Sequence, residues 1–165
     1  MKIENGSLLL FRLFGVNVWL NWTWLLGLAL FLQRDRQGDD RSILFFIGIY
    51  LCLFLIVLTH EFGHSLACKS VGGTSERIVL TPFGGIAYVN APPRPGATLW
   101  SIAAGPLVNV VLLPVTFGLA FLSASINASP TAQSFVSWIA YINLGLLVFN
   151  MLPIYPLDGG QILRS

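Results

Sequence analysis

The chain has 165 residues, of which 55% are hydrophobic and only 10% charged, with a mean hydropathy of +0.76. Soluble domains carry about 25% charged residues, so these figures exclude an ordinary soluble globular domain, a disordered chain, a nucleic-acid binder built on basic patches and a disulfide-stapled secreted module. Nine Lys and Arg against seven Asp and Glu leave a net charge of +2, too little to argue for a polyanionic partner. What remains is a multispan membrane protein whose solvent is the lipid bilayer and which takes no nucleic acid.

In chain order, the N-terminal MKIENGSLLLFRLFG carries Lys2 and Arg12 and no small-residue cleavage site, so it reads as an interfacial segment and not as a removable signal peptide. A first span is predicted over about 18–32, with Trp19, Trp22 and Trp24 at one membrane interface. The loop QRDRQGDDRS, in which three Arg balance three Asp, is a solvated connector. A second span follows over about 43–66; residues 43–64 alone would cover about 33 Å as a helix and end in His60-Glu61-Phe62-Gly63-His64. Cys52 and Cys68 fall in this one helix about 24 Å apart along its axis, too far to pair.

Beyond Lys69, Ile78-Val79-Leu80 and Ile86-Ala87-Tyr88-Val89 flank Pro82-Phe83-Gly84-Gly85, which predicts a hairpin or re-entrant loop. No charge appears between Arg94 and Asp158, and SASINASPTAQS divides that stretch into spans near 97–122 and 135–152. The expected fold is therefore an all-α polytopic membrane protein of about four transmembrane helices, with a short β-hairpin or re-entrant insertion after the second, as a single unit over 1–165. Lys2, Arg12, Lys69, Arg77 and Arg94 fall on one side of the membrane against Arg34, Arg36 and Arg41 on the other, which favours a cytoplasmic N-terminus.

Two histidines four apart on a helix project from one face, so HExxH is a two-pronged metal grip. Glu61 lies beside that face, where a carboxylate can take a proton from a metal-bound water. Within a membrane span such groups are costly and mark function. His60 and His64 are the only histidines, so a third ligand must be a carboxylate or a cysteine. Cys68 lies about 12 Å along the axis from His60, out of reach of a shared ion. Glu4, Asp35, Asp39, Asp40 and Glu76 sit in polar, loop-like contexts. Asp158 follows more than sixty uncharged residues in a Pro-Leu-Asp-Gly-Gly turn, and the span count returns it to the side of HExxH. A helix N-cap ahead of GGQILRS is the competing reading of Asp158.

HEFGH at the end of a span, TPFGG in the following loop, AAGPLVN in the next span and NMLPIYPLDGG near the end together resemble the site-2 protease family of intramembrane zinc metalloproteases. The resemblance covers most of the chain. It implies one Zn2+ held by His60, His64 and Asp158, Glu61 as catalytic base, and cleavage of a peptide bond in or near the transmembrane segment of a membrane-protein substrate. Asn150 and Pro153 match the family's NxxP, where the asparagine assists substrate positioning; an interhelical hydrogen bond is the plainer account of Asn150. Phe83, Gly84 and Gly85 are candidates to receive an extended substrate on an open strand edge, with a plain glycine turn as the alternative. Gly105, Pro106 and Asn109 match a family segment on the third span, where small-residue helix packing is the favoured account. Relatives generally continue with a further helix after the aspartate, so the chain is expected to represent a core lacking that helix.

Alternatives to an intramembrane endopeptidase are a noncatalytic metal-binding membrane scaffold of the same fold and a membrane-anchored zinc peptidase acting on soluble substrates. A plasma membrane is the expected location.

Overall fold

The computed structural model describes residues 3–4, 6–35, 42–81 and 84–165. The elements in chain order are β1 (Ile3–Glu4), β2 (Ser7–Leu13), β3 (Val16–Asn21), α1 (Thr23–Asp35), α2 (Ile43–Ser70), β4 (Thr74–Thr81), β5 (Gly84–Asn90), α3 (Pro95–Ser125), α4 (Pro130–Asn150) and α5 (Asp158–Arg164). Among the described residues, α2, α3 and α4 are long and apolar enough to cross a membrane, and α1 is a shorter apolar helix. The fold is mostly helical with a small sheet, as expected, and differs in detail at its N-terminal end.

There, the first predicted span does not begin as a helix. Residues 16–21 form strand β3, and the helix starts only at Thr23. The reason is local. Phe14 and Gly15, the two residues between β2 and β3, have φ of 50° and 74°, the positive pair that a tight hairpin turn of type I′ requires. The chain then alternates, with Val16 and Val18 fully buried. Asn21 ends the strand and starts the helix, because its Oδ1 accepts from the Thr23 backbone N–H at 3.1 Å and the Thr23 hydroxyl at 2.7 Å.

The hairpin expected around residues 82–85 is β4–β5, and it is one part of a five-stranded sheet of order β1-β2-β3-β4-β5. All neighbours are antiparallel except β3 and β4, which run parallel with Val18 opposite Ile78 and Leu20 opposite Leu80. The N-terminal segment is thus built into the sheet. One sheet face presents Val16, Val18, Ile78 and Leu80 to Val57, Leu58 and Phe62 of α2 and to Trp24 of α1, forming the main core. Burying such side chains contributes about 1.5–3 kcal/mol each.

Helix α2 is 28 residues long, about 42 Å, and packs against α3, α4 and the sheet. It continues to Ser70, so HEFGH lies inside the helix and not at its end. Helix α3 contains Pro106 and Pro114. Its outward side chains, among them Leu107, Val111, Val115, Phe121 and Leu122, are exposed and apolar, the surface expected where lipid and not water is the solvent. The sheet gathers Arg12, Lys69, Arg77 and Arg94 towards the C-terminal end of α2: Lys69 Nζ donates to the Phe14 carbonyl at 2.8 Å, and the Arg94 guanidinium to the Val71 carbonyl at 3.1 Å.

Candidate metal centre

His60 and His64 lie one turn apart on α2, and Asp158 is the first residue of α5, which follows α4 after a short turn. The three side chains are buried and converge. His60 Nε2 is 3.1 Å from His64 Nε2, and Asp158 Oδ2 lies 3.1 Å and 3.4 Å from these two nitrogens. Among the described residues this is the one group of His, Cys, Asp and Glu side chains that could hold a metal ion. Cys68 is turned away, with its Sγ against the Thr74 carbonyl.

The donor set fits a metal. Each imidazole uses Nδ1 as a hydrogen-bond donor, His64 to the Ser101 carbonyl at 2.9 Å and His60 to Asn109 Oδ1 at 2.5 Å. Both Nε2 atoms are then bare lone pairs facing each other and a carboxylate oxygen, and Asp158 Oδ2 is buried with no hydrogen-bond partner. Three buried lone pairs at such distances need a positive charge among them. A tetrahedral ion with ligands at about 2.0–2.1 Å sets them about 3.3 Å apart, which the spacings of 3.1 to 3.4 Å match.

Asp158 does not serve as the N-cap weighed against ligation. Leu157 holds the cap position, and no side-chain cap hydrogen bond is made there. Glu61 is buried beside the cluster, with Gly85 of β5 packed so closely on its carboxylate that a β-carbon at 85 would overlap it. Strand β5 is the end strand of the sheet. Its residues Gly84, Gly85, Ile86, Ala87 and Val89 line a cavity of about 440 Å³ together with His60, Glu61, His64, Asn150 and Asp158.

Of the expected substrate-contacting residues, Gly84, Gly85 and Asn150 therefore face the cluster across one cavity. Pro153 is not among the described residues lining it, because it sits in the exposed turn between α4 and α5. Phe83 lies outside the described residues. Gly105 and Asn109, read from the sequence as helix packing, belong to the site: Asn109 accepts from His60, and a β-carbon on Gly105 would overlap the His64 ring. Ser101 contributes only its carbonyl, which no side-chain pattern signals. Asn143 on α4 belongs to no motif; a polar amide in the middle of an apolar run is its one sequence signal.

A family model described as peptidase family M50 matches residues 48–127 and 121–165. The chain belongs to peptidase family M50. Its site-2 protease character is supported by a solved structure, the site-2 protease from Methanocaldococcus jannaschii, at a TM-score of 0.70 and 31% identity over 96% of this chain and 70% of that one. Similar proteins include a zinc metalloprotease of Methanocaldococcus jannaschii, 34% identical over 98% of this chain and 45% of that protein. A putative zinc metalloprotease of Synechocystis is 34% identical over 99% of this chain and 45% of its own, and stage IV sporulation protein FB of Bacillus subtilis is 38% identical over 68% and 38%. The chain thus spans less than half the length of these relatives. Together with the three helices that are long and apolar enough to cross a membrane among the described residues, membership of peptidase family M50 makes it an integral membrane protein.

Proposed function

We propose that the protein is a zinc-dependent intramembrane endopeptidase that hydrolyses a peptide bond in or near the transmembrane segment of a membrane-protein substrate. The observation that carries this reading is the meeting of His60 Nε2, His64 Nε2 and Asp158 Oδ2 at tetrahedral spacing, with the Glu61 carboxylate beside them. His60, His64 and Asp158 would hold one zinc ion per chain. When bound, zinc supplies Lewis-acid chemistry, acidifying a water and polarising the scissile carbonyl.

Glu61 accepts the proton of the attacking water and returns it to the leaving amine, a task that needs a carboxylate within reach of both. Burial among α2, α3 and β5 limits the water admitted to what the cavity holds. Asn150 on the cavity wall can hydrogen-bond a substrate carbonyl. A membrane helix hides its carbonyls in internal hydrogen bonds, so the substrate must unwind before hydrolysis. The β5 edge beside Glu61 offers the unwound chain replacement hydrogen bonds by strand addition. A scaffold reading leaves Glu61 without a task. The gathering of Arg12, Lys69, Arg77 and Arg94 at one end supports a cytoplasmic N-terminus; the membrane we assign is the plasma membrane.

The test is zinc stoichiometry and cleavage of a helix-destabilised transmembrane substrate by the detergent-purified protein, Glu61→Gln and Asp158→Ala. The expected result is one zinc per chain and cleavage by the wild type, Glu61→Gln inactive yet zinc-loaded, and Asp158→Ala depleted of zinc. A Glu61→Gln protein that still cleaves would remove Glu61 from the mechanism, and a wild type without zinc would remove the metal reading.

A further inference from the structure

A chain of buried hydrogen bonds runs from α4 through α3 to the metal ligand on α2. Asn143 Nδ2 donates to the Asn109 backbone carbonyl at 3.1 Å, Asn109 Nδ2 donates to Asn143 Oδ1 at 2.7 Å, and Asn109 Oδ1 faces His60 Nδ1 at 2.5 Å. Both asparagines are fully buried. We propose that Asn109 and Asn143 are positioning residues that fix the tautomer and orientation of His60, so that its Nε2 lone pair is aimed at the metal; this rests on the metal reading above.

The direction of every proton in the chain follows from one group. The Asn109 backbone carbonyl can only accept, so the Asn143 side chain must present its NH2 to it. That turns Asn143 Oδ1 towards Asn109, whose own NH2 must then point back. Asn109 Oδ1 is left facing His60, and an oxygen there demands N–H on Nδ1. The imidazole is consequently held with its proton away from the cluster and its Nε2 bare. Flipping either amide would set oxygen against oxygen or NH2 against NH2, so the pair holds one arrangement in a medium without water to rescue another. A ring otherwise free to exchange tautomers would spend part of its time with Nε2 protonated, unable to ligate. Partners of this kind on metal-bound histidines are worth about 10–100-fold in metal affinity.

The experiment is competition for zinc against a chromophoric chelator by the detergent-purified wild type, Asn109→Leu, Asn109→Asp and Asn143→Leu, beside histidine-ring 15N NMR of the zinc-loaded wild type. Asn109→Leu should bind zinc about 10–100-fold more weakly, and Asn143→Leu should weaken it in the same direction. Asn109→Asp keeps an oxygen towards His60 Nδ1 but sets a second one against Asn143 Oδ1, so it should lie between wild type and the leucine variant. The chain has only two histidines, and both should carry the ring proton on Nδ1, so the spectrum needs no assignment. Wild-type zinc affinity in Asn109→Leu, or a ring protonated on Nε2, would each overturn the proposal while leaving the metal site standing. If the leucine variants do not fold, the wild-type spectrum decides alone. A wild type that binds no zinc defeats the metal reading itself, and this proposal with it.

Discussion

Gly105 of α3 and His64 of α2 touch backbone to ring: a β-carbon on residue 105 would overlap His64 Nε2 and Cε1 and crowd His60 Nε2. The α3 backbone is therefore the back wall of the ligand cluster, and only a residue without a side chain fits there. Gly105→Ala should push both rings off their aim and weaken zinc binding by about tenfold or more, since small displacements of ligand support already cost that much. Gly118→Ala is the control on the same helix, because its added methyl meets nothing within 4 Å. Chelator competition on the two variants separates a local clash from a general effect of Gly→Ala in α3; equal affinities would show that the histidines can yield.

Gly85 stands to Glu61 as Gly105 stands to His64. A β-carbon there would overlap the Glu61 carboxylate, and the three atoms nearest to it all belong to Glu61. Gly85→Ala should leave zinc content unchanged and slow cleavage by about 10²-fold, the cost of misplacing a reacting group by about 1 Å. Full activity in this variant, measured on a transmembrane substrate, would mean that the strand does not set the position of the base.

Much of this was legible in the sequence because it is written in short-range spacing. Two histidines four apart with a glutamate between them define one helix face at once, and an aspartate after a long uncharged run stands out against a membrane background. The spans at α2, α3 and α4 were visible for the same reason, as apolar runs bounded by polar breaks. Strand β3 was not, because VWLNW is equally apolar as a strand or as the start of a span, and its parallel partner β4 lies about sixty residues further on. Asn109 and Asn143 each look like an interhelical glue residue; their pairing, 34 positions apart, and their link to His60 emerge only when three helices are assembled.

The N-terminal sheet and α1 are tied to α2 through Tyr50, whose hydroxyl donates to the Trp24 carbonyl at 2.7 Å while its ring packs edge-on against the Trp24 indole at 4.8 Å. Tyr50→Phe keeps the ring contact and removes the hydrogen bond. It should lower the unfolding free energy by about 0.5–1.5 kcal/mol with zinc affinity unchanged, since Tyr50 lies nearly three helical turns before His60. Denaturant titration in a fixed detergent, followed by tryptophan fluorescence, measures the first, and a loss of zinc binding would contradict the second.

Gly63, inside the HEFGH segment, has a different duty from its neighbours. A β-carbon there would lie 2.7 Å from the Ala104 carbonyl oxygen and 2.9 Å from Val108 Cγ2, so the glycine is what lets α2 and α3 approach closely, as small residues do between membrane helices. The hydrogen bonds from His60 to Asn109 and from His64 to Ser101 cross the same seam. Gly63→Ala should therefore act twice: overpacking costs about 1–3 kcal/mol of stability, and separating the helices stretches both histidine anchors, weakening zinc binding in parallel. Gly145→Ala on α4, where an added methyl meets nothing within 4 Å, should do neither. Stability lost with zinc affinity intact would show that the two anchors follow their helix when it moves, and that the metal cluster is held by something other than the α2–α3 distance.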